Sequence, residues 1–415
     1  NIEKASVNDA RIETFKDDVL GSLAREICQN SLDARYDQNH PVRVSFTLKD
    51  IKTNEIPDKD SFEKIINLSR NTWKMDQKAQ DFLTSYESLL NSRSIQILKI
   101  SDYNTSGLEG PKWDALIEKA GTSYKEDIGS AGSFGIGKAA PFASSDLRMV
   151  FYNTRLRSDS IKSIGVTKFI SFDMDDGNTA QGVGYLGSHN KNPMSYETNF
   201  CFSKRDEPGT DIFIIGFNQG SRWKEEIKNS ILENFMIAIH QKHLVVDVDD
   251  IFIDKNSLGD LINNLKLKQF NELKNYYSVL ADPNAKKIYL DDRFSRYGFK
   301  SDDAILILSS GLDSDRSKIN RSVLMTRTAG MKILDRKNIS GSIQFNGIFQ
   351  ATGDEINNIL KEMENPSHTA WIPDRYTANP KLGEDLLKDI YHFIKENVKK
   401  HFEEKIENMV DAFGI

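Results

Sequence analysis

The segment Arg25-Glu-Ile-Cys-Gln-Asn-Ser-Leu-Asp-Ala34 decides the reading of this chain. It lies in a helical pattern from about Asp17 to Tyr36, with Asp17 or Asp18 able to serve as N-cap. On that helix Glu26, Asn30 and Asp33 are spaced i, i+4, i+7 and share one face. Leu20, Leu23, Ala24 and Ile27 supply the buried side. A carboxylate and a carboxamide one turn apart suit a hydrated Mg²⁺ and an attacking water. The carboxylate orients or deprotonates the water, and the amide oxygen is a neutral hard ligand. Read alone, the same face is an ordinary solvated surface, so the rest of the chain has to decide.

Two further segments bear on the question. Asp102 follows a hydrophobic strand, Ile95 to Ile100, and lies in the turn Ser101-Asp-Tyr-Asn-Thr-Ser-Gly107. A buried carboxylate at a strand end can accept a hydrogen bond from an exocyclic amine, which is one way to select adenine. Asn104 and Gly107 tolerate positive φ, so the backbone can turn sharply beneath a base. Farther on, Gly129-Ser-Ala-Gly-Ser-Phe-Gly-Ile-Gly-Lys-Ala-Ala140 carries Gly132, Gly135 and Gly137, whose bare N–H groups suit phosphate. This segment is one residue from a Walker A loop. Ala139, however, stands where Ser or Thr must ligate Mg²⁺, and residues 123–130 are polar where a buried strand is required. Taken singly, a plain turn and a structural loop remain the alternatives.

Outward from these segments, Val42 to Leu48 alternates as a half-buried strand, and residues 50–92 are polar, helix-prone and shaped like an insertion. Short strands are expected at Arg148–Asn153, Lys168–Asp173, Gly182–Leu186 and Asp211–Phe217, giving an α/β sandwich with an antiparallel-leaning sheet. The pattern changes near 218–222. Trp223 to His240 is an amphipathic helix, followed by strands at Leu244–Val248, Ile251–Ile253, Lys287–Leu290, Ala304–Leu308, Val323–Thr326 and Ser342–Phe349. A long helix from about Leu382 to Met409 closes the chain, as a dimer arm or a lead into a further domain. The expected division is 1–218, 222–380 and 381–415.

The three chemistry-bearing segments occur in one order with strands between them, and each supplies a different part of one nucleotide site. In this the chain resembles the GHKL ATPases, the superfamily of gyrase B, heat-shock chaperone, histidine kinase and MutL, with the MORC proteins nearby. The family's Glu-x-x-x-Asn box is matched by Glu26 and Asn30, with Asp33 trailing it. Its Asp-x-Gly-x-Gly turn is matched by Asp102 and Gly107, with one extra residue and Asn104 in place of the first glycine. Its lid is matched over Gly132, Ser133, Phe134, Gly135, Ile136, Gly137 and Lys138, and its Gly-Thr before a strand by Gly209-Thr210. The resemblance covers residues 15–217. It implies a Bergerat-type ATPase α/β sandwich that binds ATP and Mg²⁺, with Glu26 as general base and Asn30 on the metal. Thr210 would reach adenine through water. No acceptor helix or sensor region of a histidine kinase is visible.

More loosely, the second domain resembles the transducer-like α/β domain that follows such ATPases. There a loop cation reaches the γ-phosphate, for which Arg327 and Lys332 are the candidates, Gly330 providing the turn. The resemblance implies a slow ATPase switch, a homodimer with ATP bound, and action on a protein or DNA partner, anti-phage defence among the roles. A purely ATP-sensing module and a chaperone-like ATPase are the alternatives. Glu364 to Arg375 is an unusual polar-aromatic stretch in which His368 reads as a structural hydrogen-bonder. Composition sets the outer limits. Of 415 residues, 55 are basic and 61 acidic, a net of −6, which excludes a globally basic nucleic-acid coat. Lys395, Lys399 and Lys400 are a weak local basic cluster. Cys28 and Cys201 make neither a disulfide framework nor a zinc site, and the apolar runs are too short to span a bilayer. No signal-peptide pattern is legible. The first residue is Asn1, so a few leading residues are expected to be missing, and a cytoplasmic location is expected.

Overall fold

The computed structural model describes residues 18–114, 139–188, 191–310 and 319–413. Asp18 caps helix α1 (Val19–Asp33), its carboxylate accepting from the Gly21 N–H at 3.0 Å. Leu20, Leu23, Ala24, Ile27 and Cys28 are buried, a stripe that packs α1 toward strand β1 (Val42–Lys52). The polar insertion folds as two helices, α2 (Lys59–Thr72) and α3 (Gln77–Leu90), ahead of β2 (Ser94–Tyr103). The one-turn helix α4 (Ala140–Ala143) precedes β3 (Ser145–Arg155), β4 (Ile161–Lys168), β5 (Phe172–Asp173), β6 (Thr179–Ala180), β7 (Val183–Leu186) and β8 (Gly209–Phe217). Helix α5 (Trp223–His240) then leads to β9 (Leu244–Val248) and β10 (Ile251–Ile253).

Among the described residues the main sheet has eight strands in the order β10-β9-β1-β2-β8-β3-β4-β7. Strands β1 and β9 pair in parallel, while the pairings from β1 through β2, β8, β3 and β4 to β7 are antiparallel. The class is mixed α/β. Period-two alternation sorts the side chains onto two faces. Ile97, Met149, Phe151, Phe213 and Ile215 pack with Ile66, Leu83, Tyr86 and Leu90 of the inserted hairpin. Val150, Tyr152, Ile164 and Val166 pack with Phe142 and Trp113. The insertion is therefore a structural layer, which closes one face of the sheet.

The strand expected at Lys168–Asp173 is corrected. Pairing runs over Ile161–Lys168 instead, and only Phe172–Asp173 is extended beyond it, paired with Thr179–Ala180. Gly165 breaks the apolar alternation that would have announced β4, yet a Cβ there would meet the Phe151 ring at 2.6 Å. Phe169 and Ile170 are apolar because they fill the core, outside any ladder.

The chain divides into two compact units, Asn1–Ile231 with Leu244–Phe252, and Leu232–His243 with Ile253–Ile415. The first division falls inside α5, beyond the 218–222 segment. The second unit adds α6 (Leu258–Asn263), α7 (Asn271–Ala281), β11 (Lys286–Tyr289), β12 (Ala304–Ser310), β13 (Val323–Thr326), β14 (Lys332–Arg336), β15 (Phe345–Ala351), α8 (Asp354–Glu362) and α9 (Pro380–Phe413). Its sheet runs β11-β12-β15-β13-β14, with β13 and β15 parallel. Helix α9 buries Leu386, Ile390, Phe393, Ile394 and Val398 at helical spacing. No helix among the described residues is long and apolar enough to cross a membrane.

Candidate functional site

Three segments far apart in sequence meet at Asp102, at the end of β2. The Thr105 hydroxyl and the Thr210 backbone N–H each donate to Asp102 Oδ1 at 2.7 Å. The Ser31 hydroxyl, from the last turns of α1, lies 3.3 Å from Oδ2 and 2.9 Å from the Ile27 carbonyl, so its single proton is divided between two acceptors. One carboxylate oxygen is thus saturated, and the other keeps acceptor capacity. Burial raises the Asp102 carboxyl above its ordinary value, against the pull of Arg205 and these three hydrogen bonds. Gly209 starts β8 at φ 139°, and a Cβ there would meet the Asp102 carbonyl oxygen at 2.4 Å. Only glycine lets the strand begin this close to Asp102.

The turn after Asp102 takes the backbone path its residues allow, Asn104 at φ 59° and Gly107 at φ 71°. The Asn104 side chain is engaged within the fold. Its amide donates to the carbonyls of Asp37 and His40 at 2.9 and 2.8 Å, and its oxygen accepts from the Asp37 N–H at 3.0 Å. The carboxamide is spent stapling the loop that follows α1, so a contribution from Asn104 to ligand binding is confined to its backbone. Gly107 is close-packed, since a Cβ would meet Thr154 Oγ1 at 2.9 Å.

On α1, Asn30 Nδ2 donates to Glu26 Oε1 at 2.9 Å. A carboxylate only accepts, so the amide nitrogen must face it and the amide oxygen is turned away. Glu26 is half-buried, while Asn30 and Asp33 are exposed. Among the described residues no group of three His, Cys, Asp or Glu side chains converges as a metal cage. The donor set here is one amide oxygen with a neighbouring carboxylate, which fits Mg²⁺ held mainly by phosphate oxygens and water. Gly132, Ser133, Phe134, Gly135, Ile136, Gly137 and Lys138 lie outside the described residues.

Sequence reasoning missed the charges behind Asp102. Asp211 is fully buried on β8 and receives Arg205 Nη2 at 2.7 Å, with Lys99 Nζ at 3.2 Å from its other oxygen. Arg205 also donates to the Thr210 and Pro208 carbonyls at 2.9 and 3.2 Å. It therefore grips the backbone on both sides of Gly209. The signal was present: an aspartate inside Thr210-Asp-Ile-Phe-Ile-Ile215 requires a buried partner.

In the second unit Gly330 takes φ 76°, and a Cβ would meet the Ala238 amide nitrogen at 2.6 Å, so the turn between β13 and β14 requires glycine. Arg327 is one of the two candidate cations named for the γ-phosphate. It is buried, paired through Nε with Glu364 Oε1, with Nη2 3.2 Å from Oε2. His368 Nδ1 lies 2.6 Å from the same Oε2, in keeping with a structural role. Burial alone would raise the Glu364 carboxyl, but the His368 hydrogen bond and the Arg327 charge hold it below its ordinary value. Lys332 pairs with Asp335 at 2.7 Å and is the more open of the two cations. No protein-family model matches this chain, and no curated protein sequence matches it.

Proposed function

We propose that the first unit is a Bergerat-type ATP-binding domain, and that the chain is a slow Mg²⁺-dependent ATPase switch of the GHKL kind. One observation carries the reading. Ser31, beside Asn30 on α1, and Thr210, at the start of β8, both converge on the carboxylate of Asp102. The adenine-type acceptor and the Glu26–Asn30 pair are thereby held on adjoining elements. In this reading Asp102 Oδ2 accepts the adenine amine, and the Asn30 oxygen faces Mg²⁺, which supplies charge neutralisation at the phosphates. Glu26 orients and deprotonates water. The output is nucleotide-dependent dimerisation acting on a protein or DNA partner, with anti-phage defence among the roles the resemblance implies.

The test is a pair of variants with binding and turnover measured separately. Glu26→Ala should abolish Mg²⁺-ATP turnover and retain ATP binding, because a general base acts on water more than on ground-state affinity. Asn30→Ala should lose Mg²⁺-dependent binding. Turnover in Glu26→Ala equal to that of the unaltered chain would remove the hydrolytic reading. Retained binding without turnover in the unaltered chain would leave a purely ATP-sensing module.

A further inference from the structure

Charges of alternating sign lead through the sheet to Asp102. Lys99 Nζ on β2 lies 3.2 Å from Asp211 Oδ2, and Asp211 Oδ1 receives Arg205 Nη2 at 2.7 Å. The Arg205 charge in turn acts on Asp102. Lys99 is the outer end, while Asp211 and Arg205 are shut off from water. A Cβ on Gly209 would meet Arg205 Nη1 at 2.5 Å and Asp102 Oδ1 at 2.8 Å, so cation and carboxylate face each other across that residue. Arg205 donates to the carbonyls of Pro208 and Thr210 at 3.2 and 2.9 Å, which fixes the intervening Gly209–Thr210 peptide with its N–H on Oδ1. Its other N–H groups go to the Glu207 carbonyl and to Asp211. No donor of the guanidinium is left over for a ligand.

The remaining surroundings of Asp102 are neutral or open to solvent. From α1 the contact is the Ser31 hydroxyl, with Glu26 half-buried and Asp33 exposed on the same helix. Its own turn presents the Thr105 hydroxyl, and β1 sets Val44 opposite it. The Tyr103 ring borders Arg205 at 4.6 Å and Arg43 at 4.1 Å, and Arg43 with its partner Glu207 is about half-exposed, where solvent screens the pair. A buried carboxylate stays ionised only where a cation or hydrogen bonds favour that form. Against the effect of burial, Arg205 is the largest pull on Asp102, ahead of the three hydrogen bonds. We propose that Arg205 is the positioning residue of the Asp102 site: it holds the Thr210 amide on Oδ1 and keeps the carboxylate anionic, so that Oδ2 is left as the acceptor. The inference rests on the nucleotide reading only for what Oδ2 meets.

The test follows the Asp102 carboxyl by ¹³C NMR in the full chain without nucleotide, its signal identified by loss in Asp102→Asn. Arg205→Met should raise the pH at which Asp102 titrates, because the cation is gone. Asp211→Asn should lower it, because Arg205 then acts unopposed. Lys99→Met should raise it again by releasing the Asp211 charge, and it leaves the backbone clamp intact should the Arg205 variant fail to fold. Arg205→Lys should restore most of the ionisation. A merely structural ion pair would be damaged alike by Arg205→Met and Asp211→Asn, so shifts of one sign, or none, would overturn the proposal. In Arg205→Met, ATP should bind about tenfold more weakly below the raised midpoint and regain affinity above it. Opposite shifts without ATP binding to the unaltered chain would remove the nucleotide reading and keep the role of Arg205. ATP binding with shifts of one sign would do the reverse.

Discussion

Asp102 has two oxygens in unlike circumstances, one doubly bonded by Thr105 and the Thr210 amide, the other sharing the proton of Ser31. That asymmetry gives the carboxylate a direction. If Oδ2 meets an adenine amine, Asp102→Asn should weaken ATP by about 1–3 kcal/mol. The unaltered protein should prefer ATP over GTP, because guanine presents an acceptor at that position. Competition titration measures both, and equal affinity for the two nucleotides would remove Asp102 from base recognition. A second single-residue prediction concerns acid. The Glu364 carboxyl sits below its ordinary value in the folded chain, so its contribution to stability is fully present above the unfolded value and is lost as pH falls through the folded one. Urea midpoints at pH 7 and about pH 3 should therefore converge between the unaltered chain and Glu364→Gln. A gap that stays constant across that range would show that the Arg327–Glu364–His368 cluster does not drive acid sensitivity.

At the scale of elements, the inserted hairpin of α2 and α3 should matter for solubility before it matters for chemistry. It covers Ile97, Met149, Phe151 and Phe213, so replacing residues 58–92 by a short linker would bare a continuous apolar face. Size-exclusion chromatography should then find aggregates, and a monodisperse product would mean that this layer is dispensable. The sequence was informative wherever structure is local and periodic. Helix α1 announced its cap, its buried stripe and its polar face within fifteen residues. Strand β4 hid because a glycine required by the Phe151 ring breaks its pattern. The parallel ladder of β1 with β9 joins Val42 to Leu244, a separation that no local pattern reports. The same holds for Arg205 with Asp211. A charge in an apolar strand says that a partner exists, but only the fold says which one. Asn104 was legible in its backbone, while its side chain went unread, for its carboxamide's partners lie on the loop after α1.

For the whole molecule, the proposed switch predicts that ATP and ADP differ in consequence as well as in affinity. Only a ligand that contacts one state better can shift an equilibrium. A non-hydrolysable ATP analogue should raise the dimer fraction in light scattering, and ADP should not. Equal masses with the two ligands would favour the static ATP-sensing alternative. One feature of the topology reaches further than ligands. The main sheet's edge at β1 is completed by Leu244–Val248, which comes after α5 has already entered the other unit. On a ribosome, the first half of this polypeptide therefore emerges with the Val42–Phe46 edge unpaired, and it cannot close until synthesis has passed residue 248. For the span of those later codons the nascent chain carries an open strand edge, the natural address for a holding factor at the exit tunnel.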